Sequence, residues 1–307
     1  MDTNLFKLMD DYGTDAECRK VLTELRWPDG VKCPRCEGEK HQYDSKRFVY
    51  DCATCGYQFS VLAGTIFQDS KLPLRKWFVA VYLMCEAKKG MSSSQLGRTV
   101  GVSYKTAWFL THRIRGAMGA VVLEQLKGII EADETFVGGK LRFPGRPGFT
   151  GQQSGYNSFS NKTTVLGAIE RGGDVRFRVA GNRGARTLKS FIEDTVSDGA
   201  QAVYTDDYGV YRHIGIADGD TLHETVNHSA KEYVRGDVHT NGIESVWSLL
   251  KRSIVGSYHQ LSVKHLDAYL AELQWRFNNR ENDRLFPDTL RLMVTADPMT
   301  YADLIQD

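Results

Sequence analysis

The chain has 307 residues, of which 41% are hydrophobic and 25% charged, and carries a formal net charge of +1. This is the composition of a soluble globular protein of two or three domains, and the overall charge points to no particular partner. The first residues (MDTNLFKLMDDYG) are acidic and lack the apolar core of a secretory leader, and no apolar run is long enough to span a bilayer. Six cysteines in such a chain argue against a disulfide framework, and the expected location is cytoplasmic. The charge is unevenly spread: residues 71–116 hold nine Lys/Arg and one acid, Glu86, a local excess that suggests an anionic partner for one module.

Residues 1–30 read as one short helix, Ala16 to Leu25, and a connector ending at Trp27-Pro28-Asp29-Gly30. Cys18 reads there as a small buried apolar residue. A zinc ribbon is expected over 31–68. Cys33-Pro-Arg-Cys36 and Cys52-Ala-Thr-Cys55-Gly56 are two CxxC knuckles, the spacing of a tetrahedral four-thiolate zinc site. Gly56 permits the tight turn after the second pair, and Gln42 to Asp51 reads as a strand pair. A closed four-cysteine site is structural, since no coordination position is left open.

Residues 71–120 read as a helical DNA-binding domain. Trp77, Val81 and Met84 recur at helical spacing. A helix follows Gly90, a turn falls at Gly101-Val102, and a second helix runs from its N-cap Ser103 to about Arg115. This is the pattern of a helix-turn-helix, with Tyr104, Lys105, Thr106 and Trp108 near the start of the recognition helix. Arg98, Lys105, Arg113 and Arg115 are the candidate phosphate contacts. A plain helical bundle with a solvated basic face is the alternative.

Residues 124–295 read as an α/β catalytic domain with a mixed sheet. One strand delivers Asp133 at its end. Residues 138–162 are a Gly-rich basic insertion, either an ordinary loop or a cationic flap that sets Lys140, Arg142, Arg146 and Lys162 on phosphate. Strands follow at Thr163–Glu170 and Val175–Ala180 around a Gly172-Gly173 turn, then a helix at Ala185–Val196. A strand over 201–206 ends in Asp206, and a further strand is expected at His223–Asn227. Helices are expected at Val238–Arg252 and Val263–Arg280. The first of these turns Ile243, Val246, Trp247, Leu250 and Ile254 to one side. It turns Asn241, Glu244, Ser248 and Lys251 to the other as one polar stripe. Two strand-end aspartates and a helix carboxylate make a ribonuclease-H-like arrangement, suited to two-metal phosphodiester chemistry. Glu134 and Asp207 adjoin the aspartates but should point to the other faces of their strands.

Asp133-Glu-Thr with Gly138-Gly139, the run Asn161 to Arg171, Thr205-Asp206 with Tyr208 and Tyr211, and His239 to Arg252 together resemble bacterial insertion-sequence transposases of the DDE type with an N-terminal zinc ribbon, the ISXO-like group. The resemblance covers about residues 15 to 290. It implies a DNA transposase: water cuts the element end to leave a 3′-hydroxyl, which then attacks target DNA in line. It makes Asp133 and Asp206 ligands of two Mg²⁺ (or Mn²⁺) ions, with one structural Zn²⁺ on Cys33, Cys36, Cys52 and Cys55. Asn241 and Glu244 are three apart on one helix, and either could supply the third ligand; Glu244 stands first because a carboxylate binds Mg²⁺ better than an amide. Lys251, two turns beyond Glu244, is expected on a DNA phosphate, with Arg252 beside it. The expected partners are the terminal inverted repeats, target DNA and a second copy of the chain; no membrane is involved. A nuclease or resolvase that cuts without joining, and a DNA-binding regulator derived from a transposase, are the competing readings.

Overall fold

The structure is a computed structural model that describes residues 4–138, 162–211, 221–227, 230, 232 and 234–306. The chain divides into two compact units, Met1–Val122 with Asn279–Asp307, and Leu123–Asn278. In chain order the first unit opens with α1 (Leu5–Asp11), α2 (Asp15–Arg26), β1 (His41–Asp44), β2 (Val49–Cys52), β3 (Gln58–Phe59), α3 (Leu74–Glu86), α4 (Ser93–Val100) and α5 (Tyr104–Gly119). The second holds β4 (Ile129–Val137), β5 (Thr163–Glu170), β6 (Val175–Ala180), α6 (Ala185–Thr195), β7 (Ala202–Asp206), β8 (Leu222–Val226), α7 (Asn241–Ser253) and α8 (Leu266–Asn278). The chain then returns to the first unit as α9 (Leu285–Thr295) and α10 (Tyr301–Ile305).

In the first unit, α2 starts on a reciprocal cap: Thr14 Oγ1 accepts from the Glu17 amide, and the Glu17 carboxylate accepts from the Thr14 amide. The strands β1, β2 and β3 form an antiparallel sheet whose small core is Cys33, Tyr50, Cys52 and Phe59, flanked by Trp27. Helix α4 ends at Gly101, whose φ of 68° and ψ of 55° suit glycine, and Ser103 caps α5 by accepting from the Thr106 amide.

Two findings here depart from the sequence-based expectation. Helices α1, α9 and α10 had no counterpart in it, and residues 279–295, expected with the sheet, pack instead on α2, α3 and α5. The cause is visible in the aromatic contacts: the Phe286 ring meets Tyr12, Phe78 and Tyr82, with the closest ring centres 6.0 Å apart. Long-range apolar pairing of this kind leaves no local sequence signal.

The second unit is a mixed five-stranded sheet in the order β6-β5-β4-β7-β8. The β4–β5 and β5–β6 pairs are antiparallel, while the β4–β7 and β7–β8 pairs are parallel. Residues alternate between two cores. Ile130, Ala132, Leu166 and Val203 face Leu188, Phe191 and Ile192 of α6. Val137, Val165, Ile169 and Val175 face Ile243, Val246, Trp247 and Leu250 of α7 and Leu266, Leu270 and Leu273 of α8. Helix α7 runs on into a π-helical turn, Ile254–Tyr258, and α8 begins behind a short 3₁₀ turn at Val263–His265. Among the described residues, no helix is long and apolar enough to cross a membrane.

Candidate functional site

In the first unit the two CxxC knuckles meet. Cys33 Sγ lies 3.7 Å from Cys55 Sγ, and Cys36 Sγ lies 3.6 Å from Cys52 Sγ. All four sulfurs fall within 4.8 Å of one another. A tetrahedron of thiolates at the usual zinc–sulfur distance has an edge of about 3.8 Å, so the set fits one zinc ion and leaves no ligand position open. Amide groups of Cys55 and Thr54 hold the Cys52 thiol down to about 6, toward the thiolate a metal requires.

In the second unit the sheet pairing explains the second cluster. Strands β4 and β7 run parallel, with Glu131 opposite Tyr204. Two residues further on, the same register reaches Asp133 and Asp206, so both carboxylates leave neighbouring strands on one face of the sheet. Burial, then the Glu134 and Asp206 carboxylates, push the Asp133 carboxyl up to about 7. Trp247 of α7 donates from Nε1 to Asp133 Oδ2 at 2.9 Å. Asp206 Oδ1 accepts from the Tyr208 amide at 3.1 Å, which fixes its carboxylate in the turn after β7.

Helix α7 lies over this face. Its apolar side, Ile243, Val246, Trp247 and Leu250, is buried, and Ile254 is partly so. Glu244, Ser248, Lys251, Arg252 and Val255 line a cleft of ≈ 740 Å³ together with Asp133, Glu134 and Thr135. Asn241, on the same predicted stripe, is exposed and is not among the lining residues. Thr240 Oγ1 donates to Glu244 Oε1 at 3.2 Å.

Glu134 also borders the cleft, but its carboxylate is held by groups outside α7. Arg183 Nη1 lies 3.2 Å from its carboxylate, and Tyr211 donates to it at 3.1 Å. Burial and the Asp206 charge raise the Glu134 carboxyl above the usual range. Among the described residues the four cysteines are the one group of three or more Cys, His or carboxylate side chains that gathers tightly enough to hold an ion unaided.

The expected DNA contacts separate into two kinds. Arg98 and Lys105 are exposed; Arg98 donates to Ser94 Oγ, and Lys105 Nζ sits 4.6 Å from the centre of the Tyr301 ring. Arg113 and Arg115 do not reach the surface, and the expectation that they meet phosphates is corrected here. They are 4% and 0% exposed. The C-terminal half of α5 is enclosed by α3, α4 and the returning segment, where Met299 closes on Gly116 and Tyr301 meets Phe109 at 5.7 Å. Arg113 is spent internally: it donates to the Gln68 carbonyl and stacks on Trp77 and Phe109. Lys140, Arg142 and Arg146, with nearly all of the 138–162 insertion, lie outside the described residues.

Sequence reasoning missed Glu131, Arg171 and the indole of Trp247 as part of the site. A signal for the first was present: an acid two residues before Asp133, on the same strand face, inside an otherwise apolar run.

The family profile of the ISXO2-like transposase domain matches residues 125–278, and that of the transposase zinc-ribbon domain matches residues 13–58. A protein of transposable element ISH50 from Halobacterium salinarum is 30% identical over 274 residues, which is 86% of this chain and 91% of that protein. A transposase-like protein from Haemophilus influenzae is 30% identical over 103 residues, 34% of this chain and 80% of that one. Among solved structures, a chain of the Mos1 strand transfer complex overlaps with a TM-score of 0.29 at 11% identity, covering 74% of this chain and 78% of that chain. With the domain profile spanning half of the chain and the ISH50 protein aligned along most of it, this protein belongs to the ISXO2-like transposase family.

Proposed function

We propose that this transposase-family chain binds the ends of an insertion sequence, cuts them, and joins the freed 3′-hydroxyl to target DNA. The observation that carries the reading is one constellation: Asp133 and Asp206 leave adjacent parallel strands on one face, and Glu244, from the helix above it, lines one cleft with Asp133. Burial first, and then repulsion from the Glu134 and Asp206 carboxylates, raise the Asp133 carboxyl to about 7. A hard dication relieves that repulsion, and carboxylate oxygens are the donors Mg²⁺ or Mn²⁺ takes. The donor set therefore fits two such ions, with Asp133, Asp206 and Glu244 as ligands. When bound, they supply activation of the attacking oxygen and charge stabilisation at the leaving oxygen.

The chain's own residues do the rest. Trp247 orients the Asp133 carboxylate, and Thr240 orients that of Glu244. Lys251 and Arg252, on the same cleft, offer cations to the DNA backbone. Glu244 is favoured over Asn241 as the third ligand because it alone of the two lines the cleft. The open mixed sheet with its acids on the central strands supports a ribonuclease-H-like catalytic domain. The pair α4 and α5 around Gly101, with Arg98, Lys105 and the 63% exposed Tyr104 at its surface, supports a helix-turn-helix that reads the element ends. The zinc is structural.

The test is a joining assay. Protein, Mg²⁺ and DNA carrying the gene's own flanks should give strand-transfer products, and Asp133→Ala should abolish them. Products that are only nicked or hydrolysed assign a nuclease instead. Holding two ends together calls for a homodimer; light scattering with end DNA that finds one protomer per complex speaks against it.

A further inference from the structure

Beneath the three proposed ligands lies a second layer of side chains, one step further in on each element. Glu131 is two residues before Asp133, on the same face of β4. Tyr204 is two residues before Asp206, on the same face of β7. Gly242 and Ile243 immediately precede Glu244 on α7. These residues are tied into one cluster. Glu131 is fully buried. Its Oε2 accepts from the amides of Gly242 and Ile243 at 2.6 and 3.1 Å. Its Oε1 accepts from Arg171 Nε at 2.8 Å and lies 3.1 Å from His239 Nδ1. Arg171 also donates from Nη2 to the His239 carbonyl, and its guanidinium lies 4.9 Å from the centre of the Tyr204 ring.

A helix start normally takes its cap from its own N-cap side chain. Here Thr240 holds that place but makes no side-chain cap. Glu131 supplies the cap from the sheet, satisfying two of the first amides and setting a negative charge at the positive end of α7. The Thr240 hydroxyl is thereby released to bind Glu244. Gly242 completes the fit: a Cβ at that position would lie 2.8 Å from Glu131 Oε2.

We infer that Glu131 is a positioning residue for the metal site, setting the distance between the Glu244 carboxylate on α7 and the aspartates on the sheet. This rests on the two-metal reading above. A buried charge with four polar neighbours is expensive unless all are kept, and its removal disturbs every element that carries a ligand.

The test separates positioning from bulk stability and from the metal reading itself. Tb³⁺ serves as the probe: it is a hard, oxygen-seeking ion, and the Trp247 indole beside Asp133 sensitises its emission. Zinc-loaded wild type, Glu131→Gln, Gly242→Ala, Thr240→Val and Asp133→Asn are titrated with Tb³⁺. Each is also assayed for end cleavage against Mg²⁺ concentration, for end-DNA affinity in metal-free buffer, and for thermal unfolding. Glu131→Gln should raise the Tb³⁺ midpoint and the Mg²⁺ requirement about 10- to 100-fold, the usual effect of losing a partner one layer behind a metal ligand. DNA affinity should hold, and saturating Mg²⁺ should restore part of the cleavage rate. Thr240→Val, which leaves the Glu131 cap in place, should shift both midpoints in the same direction by less, and Gly242→Ala, whose Cβ would stand 2.8 Å from Glu131 Oε2 and disturb the cap itself, decides the matter if Glu131→Gln does not fold. Wild-type metal midpoints in the folded variants, with only a lowered unfolding temperature, overturn the inference. If Asp133→Asn also leaves Tb³⁺ binding and cleavage unchanged, it is the metal reading that fails.

Discussion

Gly167 lies directly under the indole of Trp247. The two belong to different layers, β5 in the sheet and α7 above it, and a Cβ on Gly167 would stand 2.6 Å from Cζ2 of the ring. Gly167 is also the residue that pairs with Asp133 across β4 and β5. The missing side chain thus lets the indole drop onto the sheet and donate to the Asp133 carboxylate. Gly167→Ala should destabilise the protein by about 1–3 kcal/mol, the cost of overpacking a closed core. It should also depress end cleavage more than Trp247→Phe, which loses the hydrogen bond but keeps the packing. Thermal unfolding and cleavage rates on both variants check this. Equal activity of Gly167→Ala and wild type would show that the ring's approach has no bearing on Asp133.

The Asp133 carboxyl titrates at about 7 in the fold, against about 3.9 in an unfolded chain. Between those values the native state holds a proton that the unfolded state has released. Stability of the metal-free protein should therefore fall as pH rises from about 4 to about 7 through this group. Divalent-ion affinity should move the opposite way, gaining about tenfold per pH unit up to 7 and levelling above it, because the ion displaces that proton. Asp133→Asn should flatten the stability profile. Calorimetric melts across pH on both forms read the first effect, and metal titrations of the wild type read the second.

The zinc centre and the acidic cleft draw on different donors and should lose their ions independently. Cys52→Ser should release about one zinc per chain, read with a metallochromic dye. Asp133→Ala should leave that zinc in place. Loss of zinc in Asp133→Ala would contradict the separation of hard and soft sites.

The arginines of the α4–α5 region should divide by burial. Arg98→Ala should weaken end-DNA binding and reduce the salt slope by about one, as for a single phosphate contact. Arg113→Ala should instead cost about 1–3 kcal/mol of stability, because the Gln68 carbonyl loses its buried donor. Salt-dependent affinity and unfolding, measured on both variants, distinguish the roles. A salt slope changed equally by the two would refute the division.

What the sequence made legible follows local rules. The knuckle spacing gave the four-thiolate centre, because ligands three positions apart on a tight turn need only one ion between them. Alternation in β4 to β7 gave the strands and the apolar stripe gave the buried side of α7. Of the polar stripe, Glu244, Ser248 and Lys251 line the cleft, while Asn241, at the first helical position, is exposed and is not among the lining residues. What stayed hidden depends on contacts between distant segments. Arg113 and Arg115 have the composition of a DNA-facing helix, and packing of α5 against α3, α4 and α9 buries them. Glu131 reads as an ordinary strand acid until Gly242, 111 positions later, brings its amide to the carboxylate.

The return of the chain to its first unit bears on the order of synthesis. Residues 279–306 complete the packing of α2, α3 and α5, and the ribosome makes them after the whole sheet unit. The sheet unit can close while the N-terminal unit still awaits its final helices. A chain that stops short of this segment should accordingly be a poor competitor for element ends. A chain cut after Asn278 should melt its N-terminal unit at lower temperature and bind end DNA weakly. Adding residues 279–307 as a separate peptide should restore both.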